Sequence, residues 1–145
     1  MNILITGSMG NIGSSTLAAL QGRGHRITCF DLPTRANRRL AKRLPADVRM
    51  CWGDIRQEAD IAAAVVDQEV VVHLAAIIPE MSHTGERSEG RPDAAYQVNV
   101  GGMKNLISAL QAMPVPASIV FTSTLHVYGL TQHLAPPRSV HDPVK

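Results

Sequence analysis

Residues 3–13, Ile-Leu-Ile-Thr-Gly-Ser-Met-Gly-Asn-Ile-Gly, constrain the fold of this chain more than any other stretch. A short apolar run breaks into three glycines, Gly7, Gly10 and Gly13, at a spacing of three, and a helical pattern begins at once. That is a buried strand, a tight turn, and a helix whose first turn presents N–H groups with no intrahelical acceptor. Those donors and the positive end of the helix dipole suit an anion. Glycines let a diphosphate approach the backbone with no Cβ in the way. A glycine-rich turn by itself has bland readings. Here it follows a strand, opens a helix, and has Asp31 at the end of the next strand, the arrangement expected of a dinucleotide site.

The rest of the chain supplies a sheet for that loop. The first helix is expected from Ile12 to about Gln21, with Ile12, Leu17 and Leu20 toward the sheet. Gly22 and Gly24 end it. Residues 26–31 read as the second strand. A second helix, with Pro33 in its first turn and closed by Pro45, carries Arg35, Arg38, Arg39, Lys42 and Arg43. Such a run is a solvated face or, as the minority reading, an anion site. Val48 to Trp52 alternates like an edge strand, and a helix over 57–66 follows. Val70 to Ala76 is a nearly continuous apolar strand, as when both faces are covered. Residues 79–92 lack periodicity and read as a long functional loop. Asp93 can cap a long helix to about Met113, with Tyr96, Val100, Met103, Ile107 and Leu110 as its apolar stripe. Ser118 to Phe121 makes a fifth strand. Five strands alternating with four helices predict an α/β fold, a Rossmann-type doubly wound parallel sheet.

A chain of 145 residues is one domain. With 45% hydrophobic residues it has the composition of a soluble globular protein. It has no apolar run near the roughly 18 residues of a membrane span and no leader pattern, so no membrane partner and a cytoplasmic location are expected. A net charge of +2 is too small to point to nucleic acid. Cys29 and Cys51 read as two buried free thiols in preference to a disulfide. The six histidines show no metal-ligand spacing, and His73 reads as structural.

In an open parallel sheet, ligands bind beyond the carboxyl ends of the strands. Every such end here carries something unusual: the glycine loop, Asp31, Asp54, the small pair Ala75 and Ala76, and the hydroxyl cluster Thr122, Ser123 and Thr124. Asp31 or Asp54 could instead cap the next helix. A carboxylate at Asp31 accepts from an unmodified ribose and repels a 2′-phosphate, which favours NAD. The nearby arginines keep NADP as the less favoured cofactor. Asp54 and Ile55 would lie near the adenine, offering an acceptor and an apolar surface. Asn99, beside the apolar stripe, either bonds a neighbouring loop or positions the cofactor or the loop after the fourth strand.

Six ordered motifs spanning nearly the whole chain resemble the extended short-chain dehydrogenase/reductase family, the NAD-dependent epimerase/dehydratase group. They are Thr6-Gly7-x-x-Gly10-x-x-Gly13, Asp31, Gly53-Asp54-Ile55, His73-Leu74-Ala75-Ala76, Tyr96-x-x-Asn99-Val100-x-Gly102-x-x-Asn105 and Thr122-Ser123-Thr124-x-x-Val127-Tyr128-Gly129. The resemblance implies that Gly7, Gly10, Asn11 and Ile12 hold the pyrophosphate and Asp31 the adenosine ribose, with Gly13 also cofactor-binding. It places Asp54 and Ile55 at the adenine and Leu74, Ala75, Ala76 and Asn99 along the path to the nicotinamide, with Thr122 also cofactor-binding. It makes Thr124 the catalytic hydroxyl, and the substrate a nucleotide sugar or related hydroxylated small molecule. It also implies a homodimer paired through helices that include residues 93–113.

The departure lies in the base. The family uses a Tyr-x-x-x-Lys pair, but four residues beyond Tyr96 and Tyr128 stand Val100 and Gln132. An alcohol losing hydride needs a base for its proton. The expectation is an NAD-binding domain over 1–124, then an irregular proline-rich tail over 125–145 that leads toward a missing catalytic and substrate region. Such a truncated chain would bind dinucleotide without efficient turnover. The alternative is a non-catalytic dinucleotide sensor or interaction module.

Overall fold

The structure is a computed structural model that describes residues 1–78 and 92–123. The strands are β1 (Asn2–Thr6), β2 (Arg26–Asp31), β3 (Arg49–Trp52), β4 (Val70–His73) and β5 (Ser118–Phe121). The helices are α1 (Asn11–Leu20), α2 (Arg35–Ala41), α3 (Glu58–Val65), α4 (Pro92–Tyr96) and α5 (Gly102–Gln111), with a π-helical turn, Gln97–Gly101, joining the last two. The sheet runs β3-β2-β1-β4-β5, and every pair is parallel. The order reverses beside β1, which has β2 on one side and β4 on the other. That is the doubly wound arrangement, with its switch point at the carboxyl ends of β1 and β4.

The side-chain period of two divides the core into layers. Ile3 and Ile5 of β1 face a cluster with Leu17 of α1, Ile27 and Cys29. Leu4 between them faces Ile61, Ala64 and Val65 of α3 and Leu106, Ala109 and Leu110 of α5. β3 and β5 are the sheet edges. Ile119, Val120 and Phe121 of β5 are exposed. Among the described residues no helix is long and apolar enough to cross a membrane. Cys29 is buried, Cys51 is half-buried, and both are free thiols.

Several expectations need correction. Ile12 does not face the sheet; it is 59% exposed, and Gly13 takes the sheet-facing place beside it. Pro33 lies outside α2, which is capped by Thr34 and has no buried residue. Val48 falls one residue before β3. Strand β4 stops at His73; beyond it the Leu74 N–H is shared between the carbonyl and side-chain oxygens of Thr6, and the Ala75 N–H goes to the side chain. Val70 and Val72 are half-buried, so one face of β4 is incompletely covered. Pro92 opens α4, and Asp93 sits in its first turn instead of capping it.

The largest difference concerns the stripe. In an unbroken α-helix, residues 96, 100, 103, 107 and 110 would share a face. The π turn accommodates an extra residue and rotates the following helix by roughly 100° relative to the preceding turn. Tyr96, Val100 and Ile107 are therefore exposed, Met103 packs at the margin, and Gly102, Leu106, Ala109 and Leu110 are buried. Only Leu110 keeps its expected place in the core. Leu106→Ala is expected to destabilise the fold by about 3 kcal/mol, and Ile107→Ala by less than about 1 kcal/mol. Chemical denaturation of the two variants measures the phase; equal losses would mean the phase is wrong.

Candidate functional site

The three glycines do different things. Gly7 has φ of +67°, and a Cβ there would lie 2.7 Å from the Ala75 nitrogen. It is the point where the ends of β1 and β4 touch, and its N–H donates to the Phe30 carbonyl. A Cβ on Gly13 would stand 2.2 Å from the Gly7 carbonyl oxygen, so α1 can reach its position only with glycine there. A Cβ on Gly10 would meet nothing closer than that oxygen, at 3.2 Å. Gly10 is the N-cap of α1, with no side-chain cap bond and no acidic residue in the first turn. The Gly10 N–H donates to the Gly7 carbonyl at 3.1 Å, so the helix start offers the backbone donors of Asn11, Ile12 and Gly13, with Asn11 and Ile12 exposed, and positive potential to an anion. The exposed Ile12 side chain stands clear of the sheet.

Asp31 ends β2 beside this loop. Its Oδ2 accepts from the Met9 N–H at 2.7 Å; its Oδ1 accepts from the Leu32 N–H at 2.8 Å and from Asn37 Nδ2 at 3.0 Å. Burial raises its pKa, and the Met9 and Leu32 N–H bonds only partly counter the rise. A further donor from a ligand would favour the charged form. Asp31 does not cap α2; Thr34 does, accepting from the Asn37 N–H at 3.0 Å. Asn37 is the residue that sequence reasoning missed. Its one signal is its place, three residues after the capping threonine.

Asp54 has a structural employment. Its Oδ1 accepts from the Arg56 backbone N–H at 3.0 Å, and its carboxylate is gripped by the Arg56 guanidinium. Burial pushes its pKa up, but the hydrogen bonds and charge of Arg56 outweigh this and hold it below the usual range. Ile55 is 5% exposed and packs under Gly102, where a Cβ would lie 2.7 Å from Ile55 Cγ2. Its side chain belongs to the core, so the apolar surface expected from it is turned inward.

The long helical segment holds two loops with amide side chains. Asn99, in the π turn, accepts from the Ile77 N–H at 2.8 Å and donates to the Ile77 carbonyl at 2.9 Å. Asn105 donates to the Ile55 carbonyl at 3.0 Å. Asn99 therefore positions the loop after β4, the stretch Leu74, Ala75 and Ala76.

Thr6 is fully buried and joins β1 to that loop. Its Oγ1 accepts from the Leu74 and Ala75 N–H groups at 3.2 and 3.3 Å and lies 2.7 Å from His73 Nδ1. With both N–H groups pointing at the oxygen, its own proton goes to the ring, which must be unprotonated at Nδ1. Burial lowers the His73 pKa from 6.5 to about 4. The ring also stacks on Phe121, with centroids 6.3 Å apart. Thr122 stands one residue past the Phe121–His73 pair, on the edge that Leu74 occupies. Thr124, the expected loop over 79–91 and the expected tail over 125–145 lie outside the described residues.

Glycine loop, uncapped helix start and Asp31 share the sheet's carboxyl edge at its switch point. The sequence matches the NAD dependent epimerase/dehydratase family over residues 3–144. The chain belongs to that family. A UDP-glucose 4-epimerase from Klebsiella pneumoniae is 35% identical over 138 residues, covering 89% of this chain and 93% of that protein. A 3-beta-hydroxysteroid dehydrogenase from Mycolicibacterium neoaurum is 33% identical over 129 residues, 88% of this chain but 33% of that protein. The UDP-glucose-4-epimerase of Stenotrophomonas maltophila, solved with bound NAD and formylated UDP-arabinopyranose, shares the fold with a TM-score of 0.72 at 28% identity. That match covers 92% of this chain and 40% of the solved one. This epimerase/dehydratase chain thus spans about a third of the length of the steroid dehydrogenase.

Gly13→Ala is expected to destabilise this family member by about 1–3 kcal/mol or more through overpacking. Gly10→Ala is expected to cost less than about 1 kcal/mol. Thermal unfolding of both variants checks the division of roles. His73 sets a pH dependence. Between pH 6.5 and about 4 the unfolded chain binds a proton that the folded chain refuses, so stability falls as pH falls and levels off below about 4. The full drop is about 3 kcal/mol, and His73→Gln should flatten that part of a pH series of urea unfolding curves.

Proposed function

We propose that this chain is the NAD-binding domain of an epimerase/dehydratase-type oxidoreductase whose substrate is a nucleotide sugar or a related hydroxylated small molecule. One observation carries the reading: the fold leaves no room for a Cβ at Gly7 and Gly13, whereas at Gly10, the uncapped helix start, a Cβ would meet one atom within 4 Å, the Gly7 carbonyl oxygen at 3.2 Å. A cradle that a Cβ would fill, with backbone donors and no acidic residue in the first turn of α1, fits a diphosphate. Asp31 retains acceptor capacity beside it for a ribose hydroxyl. Arg38 is committed elsewhere: it lies 5.3 Å over the Trp52 ring and its Nε donates to the Pro33 carbonyl. This supports NAD over NADP. Leu74, Ala75 and Ala76, held by Thr6 and Asn99, would wall the path toward the nicotinamide, with Thr122 on the neighbouring strand end. Bound NAD would supply the hydride acceptor. Asp54 and Ile55 would reach the adenine through the turn they form, since the Ile55 side chain is buried.

The second reading, a non-catalytic dinucleotide-binding module, is favoured by one observation: these 145 residues contain no Tyr-x-x-x-Lys pair. Thr124 by itself could hydrogen-bond a substrate oxygen, but a hydroxyl of ordinary basicity does not remove an alcohol proton efficiently. Assayed alone, the chain is therefore expected to bind NAD without efficient turnover. Calorimetric titration tests the cofactor reading: Gly10→Val should abolish NAD binding while the thermal midpoint stays near that of the parent chain. Unchanged affinity in Gly10→Val would show that the phosphate loop is misassigned.

A further inference from the structure

The donors around Asp31 leave it one place to take anything more. A carboxylate oxygen offers two acceptor sites. Oδ1 is filled by the Leu32 N–H at 2.8 Å and Asn37 Nδ2 at 3.0 Å. Oδ2 receives the Met9 N–H at 2.7 Å and keeps one site. Both protons of the Asn37 amide are committed, since Nδ2 also donates to the Leu32 carbonyl at 3.0 Å. Asn37 thereby reaches from α2 back across the turn and pins the plane of the carboxylate. A hydrogen bond to a charged acceptor is among the stronger polar contacts in a protein. α2 contributes no buried residue, so packing does not account for this amide.

We infer that Asn37 is a positioning residue for cofactor choice. By occupying Oδ1 it fixes the rotation of Asp31, so that the remaining site on Oδ2, beside the glycine loop, is the acceptor offered to the adenosine ribose. As a neutral donor it leaves the carboxylate its charge, which a cation at this place would cancel, and so preserves the repulsion of a 2′-phosphate. This inference rests on the NAD reading above and deepens it.

Fluorescence titration with NADH and NADPH, on the parent chain and four variants, tests it. The parent should bind NADH more tightly than NADPH. Asn37→Ala should weaken NADH about ten-fold, with NADPH changing by less than about two-fold, so that selectivity falls. Asp31→Ala should lose the same selectivity, and adding Asn37→Ala to it should change nothing further, because the amide acts through the carboxylate. Thr34→Ala removes the α2 cap without touching Asp31; it should lower the thermal midpoint and leave the NADH/NADPH ratio alone. Equal weakening of both nucleotides by Asn37→Ala would overturn the inference, as would an Asn37→Ala effect that persists in the Asp31→Ala background. So would a ratio moved as far by Thr34→Ala. A parent chain that binds neither nucleotide overturns the cofactor reading and this inference with it. NADH binding that Asn37→Ala leaves unaltered overturns only the role of Asn37.

Discussion

The end of β1 meets the loop after β4 with no side chain between them. Gly7 lies against the backbone of Leu74 and Ala75, closer than any Cβ would permit. Its N–H is spent on the Phe30 carbonyl, and its own carbonyl is the surface on which Gly13 rests. Thr6, one residue earlier, supplies a side-chain acceptor for the Ala75 N–H and a second one for the Leu74 N–H, which also reaches the Thr6 carbonyl. Three strands, one helix start and one loop are therefore brought within backbone distance at the switch point of the sheet. The open helix terminus at Gly10 is a consequence of that approach: α1 arrives where it does because Gly13 lets it.

Long, locally encoded features were legible in the sequence. The five strands, the parallel doubly wound sheet, and the glycines with Asp31 followed from patterns whose physical cause lies within a few residues. The features that were not legible depend on contacts across the fold. Ile12 looks like a core residue by polarity, yet the close approach of α1 leaves room on its inner side only for Gly13. The phase of α5 was misread because a π turn carries no distinct residue pattern, and one extra residue rotates everything after it. Ile55 reads as a surface for a ligand until Gly102 is seen to lie on it. Asn37 was hidden in an arginine-rich run whose charges drew the eye, while its amide serves the strand end six residues earlier.

Polar groups near the candidate site fall into two electrostatic regimes. His73 is neutral and fully enclosed, its one acceptor used by Thr6. Asp31 is half-buried, and burial raises its pKa, with backbone N–H groups as partial compensation. The first arrangement joins two strand ends through the Thr6–His73 contact. The second is under-satisfied, and under-satisfaction at the edge of a sheet is a common mark of a place where something else binds. Asn99 and Asn105 belong with His73: both amides are spent on the carbonyls or N–H groups of loops that the sheet leaves unpaired.

α2 has a dynamic consequence. It contributes no fully buried side chain to either core layer, and what ties it down is the edge packing of Ala41, a threonine cap, one amide and a guanidinium resting on Trp52. Elements held in this way open locally without waiting for the sheet to unfold. The amide hydrogens of α2 would then exchange with solvent through sub-global fluctuations, while those of β1 would exchange only with complete unfolding. The Asp31 carboxylate, at the end of β2, is thus tied on one side to the loop that leaves β1 and on the other to a helix with no buried residue. Ligand binding at Asp31 would draw the slow and fast halves of that exchange spectrum together.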